Sequence, residues 1–347
     1  MSDNKNTTTV PATPKKHTDP LALIVRFQSL IGLVLVVIGG IIFSPRRHGV
    51  ILFLAPDNIA NVVRAVSETG IIAIGMTFVI ITAGIDLSVG AILSLSSVVT
   101  ATMMISGGYG LITTILVVLL MGTMVGILQG FISSRFRLEP FIVTLAGLQA
   151  ARGLALVVSG NQYINISYGE GPGLAPPIFA VLGQRLFDNV VPVATIVFIA
   201  FAAIATLVLN TTRFGRYVFA VGGNERAARI SGVPVSAIKI SVYALTGFAS
   251  GLAGIVHAGQ FNFGSANDGT GYELTAIAAV VIGGTSLFGG SGSMVGTVAG
   301  TIMLGALANI LQLNNITPAM QLLATAAIIV LAAVLQSLVR RREGLVR

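Results

Sequence analysis

The run IIAIGMTFVIITAGIDLSVGAILSLSSVVTATMMIS, from Ile71 to Ser106, carries one charge, Asp86, in an otherwise nearly unbroken apolar sequence. A helix crosses a bilayer with about 20 mostly apolar residues, so this run is long enough for two crossings divided near Asp86. Comparable runs recur along the chain. Of its 347 residues, 54% are hydrophobic and 9% charged, and the mean hydropathy is +0.92. A soluble domain carries about 25% charged residues, and a water-soluble protein of this size could not bury so much apolar surface. The bilayer is therefore the solvent for most of the chain. The 41 glycines agree, because Gly is commoner in transmembrane helices than in soluble ones. The reading is all-α, one polytopic transmembrane helical bundle.

Working outward from Asp86, the pattern places about ten spans. They lie near residues 27–45, 68–84, 87–106, 110–132, 140–158, 191–210, 240–260, 273–288, 291–311 and 318–339. Pro56 to Glu68 is read as a separate interfacial helix. The membrane domain, 27–339, is flanked by a polar, disordered tail at 1–26 and a short tail at 340–347. No small-residue cleavage signature follows the first apolar run, so it is read as a retained helix. An even number of spans puts both termini on one side, and the basic residues assign that side to the cytoplasm. Lys5, Lys15, Lys16, Arg26, Arg135, Arg137, Arg213, Arg216, Arg226, Arg229, Lys239, Arg340, Arg341, Arg342 and Arg347 gather there. Arg46, Arg47, Arg64 and Arg185 fall outside, with Arg152 near an outer helix end. The net charge of +8 is thus a matter of topology and of contact with anionic lipid headgroups, not of nucleic acid.

Outside, Ser159 to Asn189 is a long Gly/Pro-rich loop. Inside, residues 211–239 form a basic loop with a helix-like stretch, Asn224 to Ser231, ended by Gly232 and Pro234 as a C-cap Gly and a following Pro would end it. Met124-Val125-Gly126 with Gly130 echoes Met294-Val295-Gly296 with Gly300. The first copy lies on a span running inward and the second on one running outward, which is the signature of an inverted repeat.

Few residues carry chemistry. There is no cysteine, so disulfides and thiolate metal sites are excluded. The three histidines, His17, His48 and His257, are far apart and no His-Glu-x-x-His pattern exists. No Gly-Lys dipeptide exists, so the chain has no Walker A loop and needs a partner if ATP drives it. His257 lies in an apolar span and reads as packed or pore-facing; Glu68 and Glu273 sit at expected span ends and read as solvated. Gly122, Gly126 and Gly130, and again Gly292, Gly296 and Gly300, repeat at four-residue spacing, with Gly247 and Gly251 as a further pair. Such faces let helix backbones approach closely, as static packing or as surfaces that slide. Asp86, with Ser88 beside it, is either a functional intramembrane charge or an N-cap of the third span. Glu225, Arg226 and Arg229 lie on a short amphipathic stretch between the sixth and seventh spans. They read as positive-inside charge or as a docking helix for a cytoplasmic partner.

Several of these motifs occur together in a known order. Asp57-Asn58-Ile59, Gly84-Ile85-Asp86-Leu87-Ser88-Val89-Gly90, Pro140-Phe141-Ile142-Val143-Thr144, Arg152-Gly153-Leu154-Ala155-Leu156, Gly222 to Arg229 with Ser231-Gly232-Val233, and Ala279 to Gly290 resemble the ribose/xylose/galactose-type permeases of ABC importers. The likeness runs from about Leu52 to the C-terminus; the N-terminal tail and the Arg46-Arg47-His48 patch lie outside it. It implies a bacterial inner-membrane subunit paired with a second permease copy or a paralogue, two ATPase modules and a periplasmic binding protein. It also implies that 222–233 is the coupling helix on the ATPase, with Glu225, Arg226, Arg229 and Gly232 at the contact. ATP and Mg²⁺ would belong to the partner, and this chain would carry no cofactor. Arg46, Arg47, Arg64 and Arg185 become candidates for docking the binding protein, and Asp86 and Ser88 for the translocation path.

The competing classes are an ion-coupled secondary transporter, a channel and an intramembrane enzyme. A carrier would hold more buried carboxylates than Asp86 alone, a channel would show a polar filter, and an enzyme lacks a nucleophile–base or metal set. The spans contain no tryptophan and no clustered polar aromatic site, so the sugar is not readable.

Overall fold

A computed structural model describes residues 28–327, together with 330 and 334. The tails 1–26 and 340–347, with His17 and the basic residues they hold, and most of the last expected span beyond 327 lie outside the described residues. The helices are α1 (Gln28–Phe43), α2 (Pro56–Ile81), α3 (Val89–Ile105), α4 (Leu111–Phe136), α5 (Pro140–Ser159), α6 (Val193–Thr211), α7 (Arg213–Gly223), α8 (Glu225–Ile230), α9 (Val235–Phe261), α10 (Tyr272–Ile282) and α11 (Met294–Leu313). A further helix, α12, begins at residue 318. Sheet among the described residues is limited to three two-residue antiparallel pairs. The molecule is an all-α polytopic bundle. Its helices α2, α4, α5, α6, α9 and α11 are long and apolar enough to cross a membrane, and α1, α3 and α10 are shorter apolar helices.

The expected spans 68–84 and 273–288 are corrected. Pro56 is the first residue of α2, where its missing N–H costs nothing, and the helix runs unbroken to Ile81. The interfacial piece and the second span are therefore one helix. At the other place, α10 stops at Ile282 after 11 residues, and 283–293 follows as irregular chain. Gly292 consequently precedes α11 instead of sharing its face.

The core is built on α2 and α9, which cross where Gly75 meets Thr246 and Ala249. The Thr246 hydroxyl donates to the Gly75 carbonyl at 3.0 Å. Against α9 lies α4, held at backbone distance by Gly122, Gly126 and Gly130, which face Gly247, Tyr243 and Ile240. A Cβ at Gly126 would stand 2.1 Å from the Tyr243 carbonyl oxygen. Gly296 and Gly300 do the same against Gly283, just past the end of α10, and Ala279 of α10. Away from these seams, α4 and α6 expose Leu116, Leu120, Leu128, Ile204 and Leu207, which is what helices facing lipid present.

The order long, short, long repeats: α2 to α4, then α9 to α11, each followed by a further helix, α5 or α12. In each half the first long helix is followed within two residues by one in the left-handed region, Ala83 (φ 59°) or Asn262 (φ 60°). An irregular segment then leads to the short helix. Below, the end of the bundle that carries residues 211–239 is the basic end and the opposite one the far end.

Candidate functional site

The first break, 82–88, lies at the basic end between α2 and α3. Asp86 is fully buried. Its Oδ1 accepts from the Ser88 backbone N–H at 2.9 Å and from the Ser88 hydroxyl at 2.6 Å. Gln129 of α4 donates to the Ser88 hydroxyl at 2.9 Å. Asp86 is thus not the N-cap of α3: Ser88 holds that place, and Asp86 closes the turn onto it. Its second oxygen, Oδ2, has no hydrogen-bond partner among the described residues.

Beside this break opens a cleft of about 760 Å³, lined by Thr82, Gly84, Ser133, Arg137, Glu225 and Lys239 among others. Its far wall is α8. The Asn224 side chain caps α8 by accepting from the Ala227 N–H at 2.9 Å. Gly232, at φ 81°, lets the Val233 N–H return to the Ala228 carbonyl at 3.0 Å, which ends the helix. Glu225 bridges Arg229 at 2.9 Å and Lys239, near the start of α9, at 2.7 Å. The hydrogen bond from Lys239 holds the Glu225 carboxyl below its ordinary range, against a smaller opposing effect of burial. α8 is therefore short but stapled to the bundle. It presents Ile230 at 81% exposure, and the neighbouring 283–293 segment presents Phe288 at 76%. The 283–293 segment is seated on α2 and α7, next in the chain to α8: the Gly290 N–H donates to Ile81 O at 2.9 Å, against Gly222.

The second break, 262–271, enters the bundle from the far end and runs along α3. Gly264 meets Ser97, and Gly269 meets Gly90. Around it the structure assembles a buried polar network that sequence reasoning missed. Glu68 of α2 is 2% exposed, not solvated. It accepts from Gln260 Nε2 at 2.6 Å and from the Tyr272 hydroxyl at 3.3 Å, and lies 2.8 Å from His257 Nδ1. His257 Nε2 stands 3.3 Å from Asp268 Oδ2, an ion-pair distance without hydrogen-bond alignment. Asp268 Oδ2 also accepts from the Ser97 hydroxyl at 2.7 Å and the Ser265 N–H at 2.8 Å. Arg152 donates to the carbonyls of Ala266 and Asp268, satisfying irregular backbone that no helix partner serves. His257 is therefore a bridge between two carboxylates, not a merely packed ring.

Of the four arginines considered for docking, Arg46 and Arg47 are exposed. Arg64 is turned inward onto Gln260, donating to its side-chain and backbone oxygens at 3.0 and 3.1 Å. Arg185 is tied to Asp57 at 3.0 Å and Asn61 at 2.6 Å. Next to Tyr272 lies a groove of about 590 Å³ between α2, α10, α11 and α12, lined by a mixture of amide, hydroxyl and aliphatic side chains.

Two helices interrupted inside a bundle, with polar groups gathered at the interruptions, define a membrane transport protein. The chain belongs to the family described as branched-chain amino acid transport system / permease component, whose model matches residues 58–333, and within it to the sugar ABC importer permeases. It is 40% identical over 280 residues to a ribose import permease protein of Haemophilus influenzae, covering 81% of this chain and 85% of that one. A ribose import permease protein of Bacillus subtilis is 40% identical over 287 residues, covering 82% and 85%. A xylose transport system permease protein of Escherichia coli is 32% identical over 343 residues, covering 84% and 87%. No solved structure matches the chain. The chain is thus a transport subunit and a multi-pass inner-membrane protein. The count of buried carboxylates no longer argues against an ion-coupled carrier, since Glu68 and Asp268 join Asp86; the family does.

Proposed function

We propose that this chain forms the translocation path for a small sugar delivered by a periplasmic binding protein, and that a separate ATPase drives it by gripping α8. The observation that carries the reading is α8 itself. A capped, doubly ion-paired helix holds Ile230 exposed on its outer side, and the 283–293 segment exposes Phe288 at the same end of the bundle. Exposed apolar anchors on a rigid rim mark a protein-binding surface. Glu225, Arg226, Arg229 and Gly232 belong to this contact, and the cleft between α8 and the Asp86 break gives the motion somewhere to go. The sugar rests on the ribose and xylose relatives. At the far end, Arg46 and Arg47 are the arginines left free to meet an acidic binding protein. A second permease copy or a paralogue completes the path, both termini face the cytoplasm, and ATP and Mg²⁺ stay on the partner.

The test is the complex with the ATPase encoded beside this chain. Ile230→Asp, and separately Glu225→Ala with Arg229→Ala, should release the ATPase or uncouple its hydrolysis from uptake. Normal assembly together with normal uptake in both variants contradicts the reading. Orientation has its own check in this naturally cysteine-free chain. A cysteine at Ser231 should react with an impermeant maleimide in inside-out vesicles and not in intact spheroplasts.

A further inference from the structure

We propose that the groove between α2, α10, α11 and α12 is a water-filled half-site that takes a neutral polyhydroxyl substrate during passage, a proposal that rests on the permease reading above. The groove holds about 590 Å³ and is lined by Thr69, Tyr272, Thr275, Asn309, Gln312 and Gln321 together with Val, Leu, Ala and Gly. These polar residues project from helices that are otherwise apolar. Polar side chains turned toward hydrocarbon are costly, and in membrane proteins they face the interior or a water-filled cavity.

The related groove in the other half shows that this polarity is not a by-product of the architecture. It lies between α3, α4 and α5 and measures about 420 Å³. Its walls are Leu95, Val125, Leu128, Ile142 and Leu154 and their like, and its one polar side chain, Gln129, is bonded to Ser88. Corresponding helices thus build an apolar groove suited to lipid and a polar one that is not.

The chemistry of the polar groove selects a class of ligand. None of its lining residues among the described ones is charged, so they offer no partner to the ammonium or carboxylate of an amino acid, and burying either unpaired is expensive. The hydroxyls of Thr275 and Thr301 donate to carbonyls of the preceding turn, at 3.2 and 2.8 Å, and that of Tyr272 donates to Glu68 at 3.3 Å. Their lone pairs are left as acceptors toward the groove, while the Gln312 amide can both donate and accept. Alternating neutral acceptors and donors beside aliphatic surface suit a sugar's hydroxyls and C–H faces. The Tyr272 contact also places the Glu68–His257–Asp268 network directly behind this wall.

The test uses the complete transporter in proteoliposomes. ATP-driven uptake of ribose or xylose by the unaltered chain comes first; its absence would remove the permease reading itself. With uptake established, single cysteines are placed at Thr275, at Gln312 and, as the apolar control, at Leu128. A charged, water-soluble methanethiosulfonate should modify the Thr275→Cys and Gln312→Cys variants and spare Leu128→Cys. The transported pentose should slow modification several-fold, and leucine should not. Gln312 is exposed, so its replacement leaves the packing intact. Unreactive cysteines in a transporting complex would mean a groove sealed by lipid or a second copy and would overturn the proposal. Reaction at a rate that neither pentose changes would overturn it as well.

Discussion

Asp86 and Asp268 sit at corresponding breaks in the two halves of the bundle, and each accepts hydrogen bonds from serine: Asp86 from Ser88 at the start of α3, Asp268 from Ser97 within α3 and from Ser265 of its own break. Asp86 uses one oxygen for Ser88 and leaves the other without a partner among the described residues. Asp268 is held by Ser97, Ser265 and the ion pair with His257, and through His257 it reaches Glu68 on the opposite long helix. The far-end break is thus cross-linked by polar bonds to α2, α3, α5 and α9. The basic-end break has fewer ties, from Gln129 of α4 to Ser88 and longer ones from Thr144 of α5 and Tyr243 of α9 to the Ile85 carbonyl at 3.3 and 3.5 Å, and it borders the cleft under α8. A segment with few ties is the one that can change conformation. The difference assigns rigidity to the far end and mobility to the end where the ATPase is proposed to act. The second break meets the start of α3, just past the first break, at Gly90 and Gly269, where a Cβ on Gly90 would stand 2.3 Å from the Gly269 carbonyl oxygen.

The largest effect should come from cutting the far-end network. Asp268→Ala leaves His257 with Glu68 as its one carboxylate and removes the acceptor of Ser97 and Ser265, and breaking a buried ion pair costs about 3–5 kcal/mol. Thermal unfolding in detergent should show a large loss, with uptake abolished. A small change there would erase the contrast between the breaks. Next is Gly90→Ala, which forces the start of α3 away from the second break; overpacking of this kind costs about 1–3 kcal/mol. It should lower uptake and stability together, and unchanged values would show that the breaks do not bear on each other.

Asp86→Asn should be milder. Its amide oxygen can keep both bonds to Ser88, and its NH₂ falls where Oδ2 has no partner, so the loss should stay below about 1 kcal/mol. Asp86→Ala strands the Ser88 N–H and should cost about 1–3 kcal/mol. Stability and uptake measured together then separate the two roles of Asp86: normal uptake in the Asn variant leaves a structural turn, and lost uptake in a stable Asn variant makes the charge part of gating. The smallest effect concerns Glu225. Its folded pKa is lowered, so its contribution is present above the unfolded value and disappears as pH falls through the folded one. ATPase retention should therefore be flat between about pH 5 and 8 and weaken only below that range. Because Glu225 is partly exposed, Glu225→Gln should cost at most about 1 kcal/mol of stability.

The bundle was legible because hydropathy is a local property, and α8 because its signals lie within ten residues: an Asn N-cap, paired charges at i and i+4, and a C-cap Gly. The far-end network was not, since Glu68, Arg152, His257 and Asp268 are distant in sequence and meet only in the packed fold. One local signal was available. Pro56 followed by Asp57 is a helix start. Beginning α2 there places Glu68 three turns inside an apolar helix, where an ionisable residue is a functional candidate by default. Starting the span at 68 instead put the same carboxylate in water. The polar groove escaped notice for the same reason as the network, because four helices each contribute two or three of its polar side chains.

The account turns on what powers the path. The most direct measurement is uptake of labelled ribose or xylose into proteoliposomes holding this chain, its ATPase and its binding protein, with ion gradients collapsed by ionophores. The account predicts uptake that requires ATP and all three components and ignores the ionophores. Uptake by this chain alone, driven by a proton or sodium gradient and indifferent to ATP, would contradict it and would make the Glu68–His257–Asp268 network the coupling site of a carrier.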